Sequence, residues 1–255
     1  MLEFICFWPF ALVFGLVIGS FLNVCICRLP MGQSVAAGGS YCPNCGHPLR
    51  PLDLVPVFSY LFLRGRCRYC GEKISPQYLI IELLSAGLYV LAFYIFGLHW
   101  MTLIAWALIS VLIVASMIDI AILEIPDGLS VAVAVIGAAC FFIPDTLPWW
   151  DRLLGAACAG GPLLLIVLAS RGNAMGLGDV KLMAAAGLIL GWKLSLFSLL
   201  AAVVIGAVAG VILLASKKKG RKDAIPFVPM LSAGVVCALF VGAPVLSWYA
   251  SLLGF

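Results

Sequence analysis

A chain of 255 residues that is 64% hydrophobic and only 10% charged, with a mean hydropathy of +1.19, lacks the polar surface of a water-soluble globule, about a quarter of whose residues are charged. These values exclude a soluble enzyme and point to an all-α polytopic membrane protein. The net charge of +4 is small, so the placement of charge carries more information than its sum.

The apolar stretch over residues 2–26 is too long for a signal-peptide core and lacks a basic start, so it reads as a retained span. The first span covers residues 4–27. Its Gly15-x-x-x-Gly19 sets small residues four apart, which lets a neighbouring helix pack closely. Asn23 lies near the end of the span, where it can reach the polar interface. Cys6, Cys25, Cys27, Cys140, Cys158 and Cys237 fall in apolar stretches and read as small hydrophobes.

Residues 28–77 form the one long polar segment. It holds Cys42-Pro43-Asn44-Cys45 and Cys67-Arg68-Tyr69-Cys70, separated by 21 residues. Each knuckle presents two thiolates from a tight turn, and two turns complete a tetrahedron, so structural zinc is the expected cofactor. A pair of disulfides and a redox C-x-x-C are the alternatives. His47 is a substitute ligand candidate, although four cysteines already close the site. The segment is too small to bury much core, and metal would substitute for one.

Apolar blocks follow at residues 78–96, 101–122, 129–143, 153–169, 182–191, 194–215 and 227–252. With the first span they predict about eight transmembrane helices. Alternating these spans puts thirteen of the 15 Lys and Arg residues on one side: those of the first loop, Arg171, Lys181, and Lys217, Lys218, Lys219, Arg221 and Lys222. Only Arg152 and Lys193 fall opposite. The positive-inside rule makes the first side cytoplasmic and leaves both termini outside. A reducing compartment favours zinc over disulfides at the loop cysteines.

The same alternation brings two acidic stretches to the cytoplasmic face. One is Met175-Gly176-Leu177-Gly178-Asp179-Val180-Lys181, where an ionisable residue beside membrane-type sequence marks a functional candidate. Gly176 and Gly178 permit positive φ and close approach of another chain. The plainer reading makes Asp179 a helix N-cap. The other stretch carries Asp119, Glu124 and Asp127. Asp127 sits in Pro126-Asp127-Gly128, a turn signature, and is expected to shape the turn or cap the next helix. Asp119 follows an apolar run and is the deepest. Two buried carboxylates side by side share one proton, the arrangement an aspartyl protease needs. Asp119 and Asp179 are therefore the catalytic candidates, with Gly176, Gly178, Asp127 and Lys181 as supporting residues. Lys181 alone reads as a snorkelling interface residue.

These stretches resemble the type IV prepilin peptidases. The resemblance rests on Gly19-Ser20-Phe21-Leu22-Asn23-Val24 and Arg28-Leu29-Pro30, the two knuckles with Arg64-Gly65-Arg66 before the second, and Ile74-Ser75 and Glu82-Leu83. It continues through Asp119 with Pro126-Asp127, the Gly-x-Gly-Asp-x-Lys stretch, and Ile225-Pro226-Phe227. Val228 departs from the glycine expected there, which bears on local packing. The resemblance implies a bifunctional inner-membrane enzyme that cuts the basic leader from prepilins or pseudopilins at the cytoplasmic face. It then N-methylates the new N-terminal residue with S-adenosylmethionine. It implies a methyltransferase-associated part over residues 1–100, with its zinc loop, and protease helices over 101–255. Glu82 is the candidate for contact with the methyl donor, or else a helix-entry acid or partner of a loop arginine.

Two other functions compete. A cleavage-only protease would use the same aspartates, and so would an ion- or proton-coupled transporter, but aspartates near one face count against transport. A zinc-dependent adaptor without catalysis is opposed by the two glycines before Asp179. Membrane lipid is an expected partner and nucleic acid is not.

Overall fold

The computed structural model describes residues 2–143, 147–173, 175–215, 225–252 and 254. Among these, the regular elements are all helices, with two isolated β-bridges, Tyr41 to Pro48 and Arg66 to Lys73. The chain divides into two units, Met1–Val114 and Ala115–Phe255. The basic run Lys217, Lys218, Lys219, Arg221 and Lys222 lies outside the described residues.

The first unit contains α1 (Leu2–Arg28), α2 (Phe58–Phe62), α3 (Gln77–Phe96) and the start of α4 (Trp100–Ile122). The small-residue pair of α1 works as expected. A Cβ on Gly15 would stand 2.7 Å from the Ala86 Cα, and one on Gly19 2.8 Å from the Glu82 Cα, so α1 and α3 touch backbone to backbone. Asn23 does not reach the interface; it is 2% exposed. Its Nδ2 donates to the carbonyls of Gly19 and Tyr78, both at 3.2 Å, tying the end of α1 to the start of α3. In α4, Trp106 stacks on Tyr89 at 4.9 Å and its Nε1 donates to the Tyr89 carbonyl.

The second unit contains the end of α4, α5 (Asp127–Ala139), α6 (Trp149–Ser170), α7 (Leu177–Ala215), α8 (Val228–Cys237) and α9 (Ala243–Leu252). A π-helical turn, Ala238–Gly242, joins α8 to α9. Among the described residues, six helices are long and apolar enough to cross a membrane, counting Val228–Leu252 as one. The protein is a multi-pass membrane protein, but eight full-length spans is too many.

The difference has a physical source. The 39 residues of α7 would reach about 58 Å if straight, twice the roughly 30 Å of hydrocarbon. The helix breaks instead at Gly191, whose φ of 73° and ψ of 173° only glycine adopts readily. Blocks 182–191 and 194–215 thus belong to one broken element, and block 129–143 forms the short helical segment Asp127–Phe142. The break leaves helix-end groups unpaired. Asp151 Oδ1 accepts the Trp192 N–H at 3.0 Å, and Arg152 Nη1 donates to the Leu188 carbonyl at 2.9 Å. Neighbouring charges at the start of α6 therefore cap both sides of the break. Arg152, one of the two cations assigned to the opposite side, is buried. Small residues let α6 run close along α7: a Cβ on Gly155 would collide with the Gly187 carbonyl, and one on Gly160 would lie 2.8 Å from the Ala184 Cβ.

Candidate active site and candidate metal centre

The second unit carries both candidate aspartates. Asp119 sits one turn before the end of α4 and is 6% exposed. The next helix to approach it does so end-on. The Val228 N–H, first in α8, donates to Asp119 Oδ2 at 3.0 Å, and the Phe227 backbone adds a second hydrogen bond. Helix starts offer unpaired N–H groups and a positive dipole end, which suits an anion. Val228 is wholly buried, so the side chain that replaces the expected glycine packs inward while its backbone serves Asp119.

Asp179 lies in the first turn of α7 and is 9% exposed. It is not the N-cap. It stands two residues after Leu177, and its carboxylate accepts the backbone N–H of Gly176. That bond is the reaching-back half of a capping box. Asp119 lies close enough to act on Asp179 electrostatically. The structure thus brings together two buried carboxylates that are 60 residues apart in sequence.

The flanking glycines have narrower roles than expected. Neither Gly176 nor Gly178 takes a positive φ. A Cβ on Gly178 would stand 3.2 Å from Ile125, so this glycine allows close packing against the segment after α4. Among the described residues, a Cβ on Gly176 would meet only the Gly178 nitrogen, at 3.9 Å. Lys181 does not snorkel alone: its Nζ pairs with Asp127 Oδ1 at 2.7 Å. The side chains of this pair are 53% and 73% exposed, so the link between α7 and the start of α5 is weak. Asp127 is the first residue of α5 and sits in the turn closed by the Leu129 N–H on the Pro126 carbonyl, but Pro126 is the N-cap and no side chain caps the helix.

The first unit carries the cysteines. The Sγ atoms of Cys42, Cys45, Cys67 and Cys70 lie within 4.8 Å of one another. The two hairpins repeat each other. Cys42 N–H donates to the His47 carbonyl and Gly46 N–H to the Cys42 carbonyl; Cys67 N–H donates to the Glu72 carbonyl and Gly71 N–H to the Cys67 carbonyl. Four thiols converging from two such hairpins fit a tetrahedral thiolate metal site. All four are free thiols, not disulfides. His47 is not part of the cluster and packs on the Tyr69 ring at 3.7 Å.

Asp53 braces the second knuckle. Its side chain is 3% exposed. It accepts from Arg68 Nε at 2.6 Å, the Tyr69 hydroxyl at 3.1 Å and the Arg50 N–H at 3.2 Å. Burial pushes its carboxyl up, and these donors outweigh burial and hold it below the usual value. Arg28 braces the loop entrance by donating to the carbonyls of Ser34, Ala37, Gly38 and Gly39.

Glu82 is 6% exposed and already has partners. Its Oε2 accepts the Val57 N–H at 2.7 Å, with Ser20 as a second donor. Val57 takes φ 63° and ψ −52°, while the Phe58 N–H donates to the Pro56 carbonyl at 2.6 Å. This is a γ-turn of the rare positive-φ kind, strained for a β-branched residue. No local signal in the sequence announces this contact, since Val57 and Glu82 are 25 residues apart. Nor does any announce the Phe227 and Val228 backbone as partners of Asp119; Pro226 before an apolar helix was the available hint.

The bacterial peptidase A24 N-terminal domain model matches residues 13–96, and the type IV leader peptidase family model matches residues 106–211. A prepilin leader peptidase/N-methyltransferase of Bacillus subtilis strain 168 is 34% identical over 240 residues, covering 94% of this chain and 96% of the relative. One from Burkholderia pseudomallei strain K96243 is 36% identical, covering 92% and 85%. One from Aeromonas salmonicida is 32% identical, covering 97% and 95%. No solved structure matches the chain.

Proposed function

The chain belongs to the type IV leader peptidase family, and we propose that it cleaves the leader from prepilins or pseudopilins and then methylates the exposed amine. The observation that carries the protease reading is the pair Asp119 and Asp179, both buried, interacting, and each held by N–H groups at a helix start. Two such carboxylates share one proton. The ionised member takes a proton from water as the oxygen attacks the scissile carbonyl. The protonated member gives its proton to the carbonyl oxygen. Collapse of the tetrahedral adduct returns a proton to the leaving nitrogen and expels the new amine. The pair titrates as a unit, so acid and base are roles of the dyad. Gly178, packed on Ile125, and the link of Lys181 to Asp127 hold the frame around it.

In the methylation step the neutral amine would receive the sulfonium methyl group that S-adenosylmethionine supplies, the donor leaving as its thioether and the methylated amine losing one proton to water. We assign this step to the part containing the cysteine loop. Zinc is the proposed metal, bound by Cys42, Cys45, Cys67 and Cys70, and its contribution is to fold the loop. Glu82 is assigned the ordering of the strained turn at Val57, which restrains that loop against α3. The cations of the cysteine loop support an inner-membrane protein with that loop facing the cytoplasm, and we assign the dyad to the same side.

The test is the purified protein mixed with a prepilin in detergent and followed by gel mobility. Conversion by the wild type and none by Asp179→Ala is the expected result. Undiminished conversion by Asp179→Ala overturns the dyad. Specific ion flux by the reconstituted protein, without any cleavage, would replace the reading with transport.

A further inference from the structure

Between the second knuckle and α3 lies an open cavity of about 490 Å³, whose lining includes Tyr60, Arg64, Arg66, Lys73, Ser75 and Pro76. Three of these residues are cations and none is an acid. Among the described residues, Arg64, Arg66 and Lys73 make no ion pair, the two recorded pairs being Arg68 with Asp53 and Lys181 with Asp127. The isolated antiparallel bridge sets Arg66 directly opposite Lys73. Like charges facing each other across such a pair destabilise it unless an anion lies between them.

The surroundings indicate which anion. Ser75 and Pro76 line the cavity immediately before Gln77, the first residue of membrane-crossing α3. Tyr60, whose hydroxyl donates to the Ile74 carbonyl at 3.4 Å, belongs to α2, whose Phe58, Leu61 and Phe62 are 56%, 59% and 84% exposed. A cationic cavity beside a row of exposed apolar side chains, next to the first residue of a helix long enough to cross a bilayer, matches a ligand with an anionic head and an apolar tail. A basic leader peptide would be repelled. A methyl donor brings one carboxylate and a cationic sulfonium, which leaves most of the positive charge unmatched.

We propose that this cavity binds the phosphate headgroup of an anionic phospholipid, with α2 lying in the adjoining acyl layer. Arg64 and Arg66 supply forked donors and Lys73 a point charge. Basic residues near a membrane surface each strengthen attachment to anionic lipid about fivefold. The site does not depend on the protease or methyltransferase assignment.

The experiment uses the full-length protein in zwitterionic detergent, stripped of lipid and titrated with phosphatidylglycerol or phosphatidylcholine, with bound lipid per chain read by native mass spectrometry. Wild type should prefer phosphatidylglycerol by tenfold or more. Arg64→Gln with Arg66→Gln and Lys73→Gln should abolish the preference, whereas Arg64→Lys with Arg66→Lys, and Arg171→Gln, should keep it. A triple variant with unchanged preference overturns the proposal. So does displacement of the lipid by millimolar inorganic phosphate, which makes free phosphate the ligand, or by S-adenosylmethionine, which makes the cavity the donor site. If the triple variant loses its metal, Lys73→Gln alone carries the test: about fivefold weaker binding supports the site, and no change overturns it.

Discussion

Asp119 and Asp127 are eight residues apart and live in different environments. Asp119 is buried against the start of α8, while Asp127 is 73% exposed and paired with Lys181. The apolar run before Asp119 and the Pro-Asp-Gly turn around Asp127 made that contrast legible, because both are local. The donors to Asp119 lie more than 100 residues away and were not. Asp119→Asn and Asp179→Asn should each reduce prepilin cleavage by about 10³-fold or more, since an amide cannot exchange the proton. Asp127→Ala should stay within about fivefold of wild type, the most an exposed pair contributes. Initial rates on one prepilin decide the matter, and an inactive Asp127→Ala beside an active Asp119→Asn would reverse the assignment. Asp53 gives a pH-dependent counterpart. Its carboxyl is held below the ordinary value in the folded loop, so its contribution is complete at neutral pH and disappears as pH falls below about 4. Arg68 is half exposed, which limits the contribution to roughly 1 kcal/mol. Asp53→Asn should therefore melt below wild type at pH 7, and the two melting temperatures should converge in acid.

Elements were legible where their signal was periodic or local. Gly15 and Gly19 pointed to a close helix neighbour, and α3 is that neighbour. The break in α7 was visible only as a short apolar block, because nothing local shows that Gly191 turns sharply or that Asp151 and Arg152 cap it. Asn23 was misplaced for a related reason: a polar residue at a helix end looks solvated until the carbonyls of Gly19 and Tyr78 are placed beside it. The α1–α3 contact makes a direct prediction. Gly19→Val forces branched carbons against the Glu82 backbone, at an expected cost of about 1–3 kcal/mol. The variant should melt lower in detergent and expose the loop to protease. Gly87→Val is the control, because a Cβ there meets nothing within 4 Å. Equal melting of the two variants would mean the helices can separate without loss.

At the scale of the whole molecule, the four cysteines fall within Met1–Val114 and both aspartates within Ala115–Phe255. This arrangement predicts that the two chemistries can be separated. Hydrolysis needs the dyad and an extended stretch of substrate. Methyl transfer needs an ordered pocket for donor and amine, and in a loop this small metal-binding energy is folding energy. Elemental analysis should find one zinc per chain, and less after Cys42→Ser; full retention after replacement of all four cysteines would remove zinc from the account. Asp179→Ala should abolish cleavage yet leave methylation of an already cleaved pilin largely intact. Cys42→Ser with Cys67→Ser should lower methylation at least tenfold more than cleavage. Some loss of cleavage is still expected, because the loop joins α1 to α3 and its unfolding loosens both. The measurement is a pair of assays on the same preparations: gel conversion of prepilin, and incorporation of labelled methyl groups into mature pilin. Equal losses in the cysteine variants would make the loop a scaffold for both reactions, while loss of methylation in Asp179→Ala would mean that the methyl-transfer site also needs the dyad.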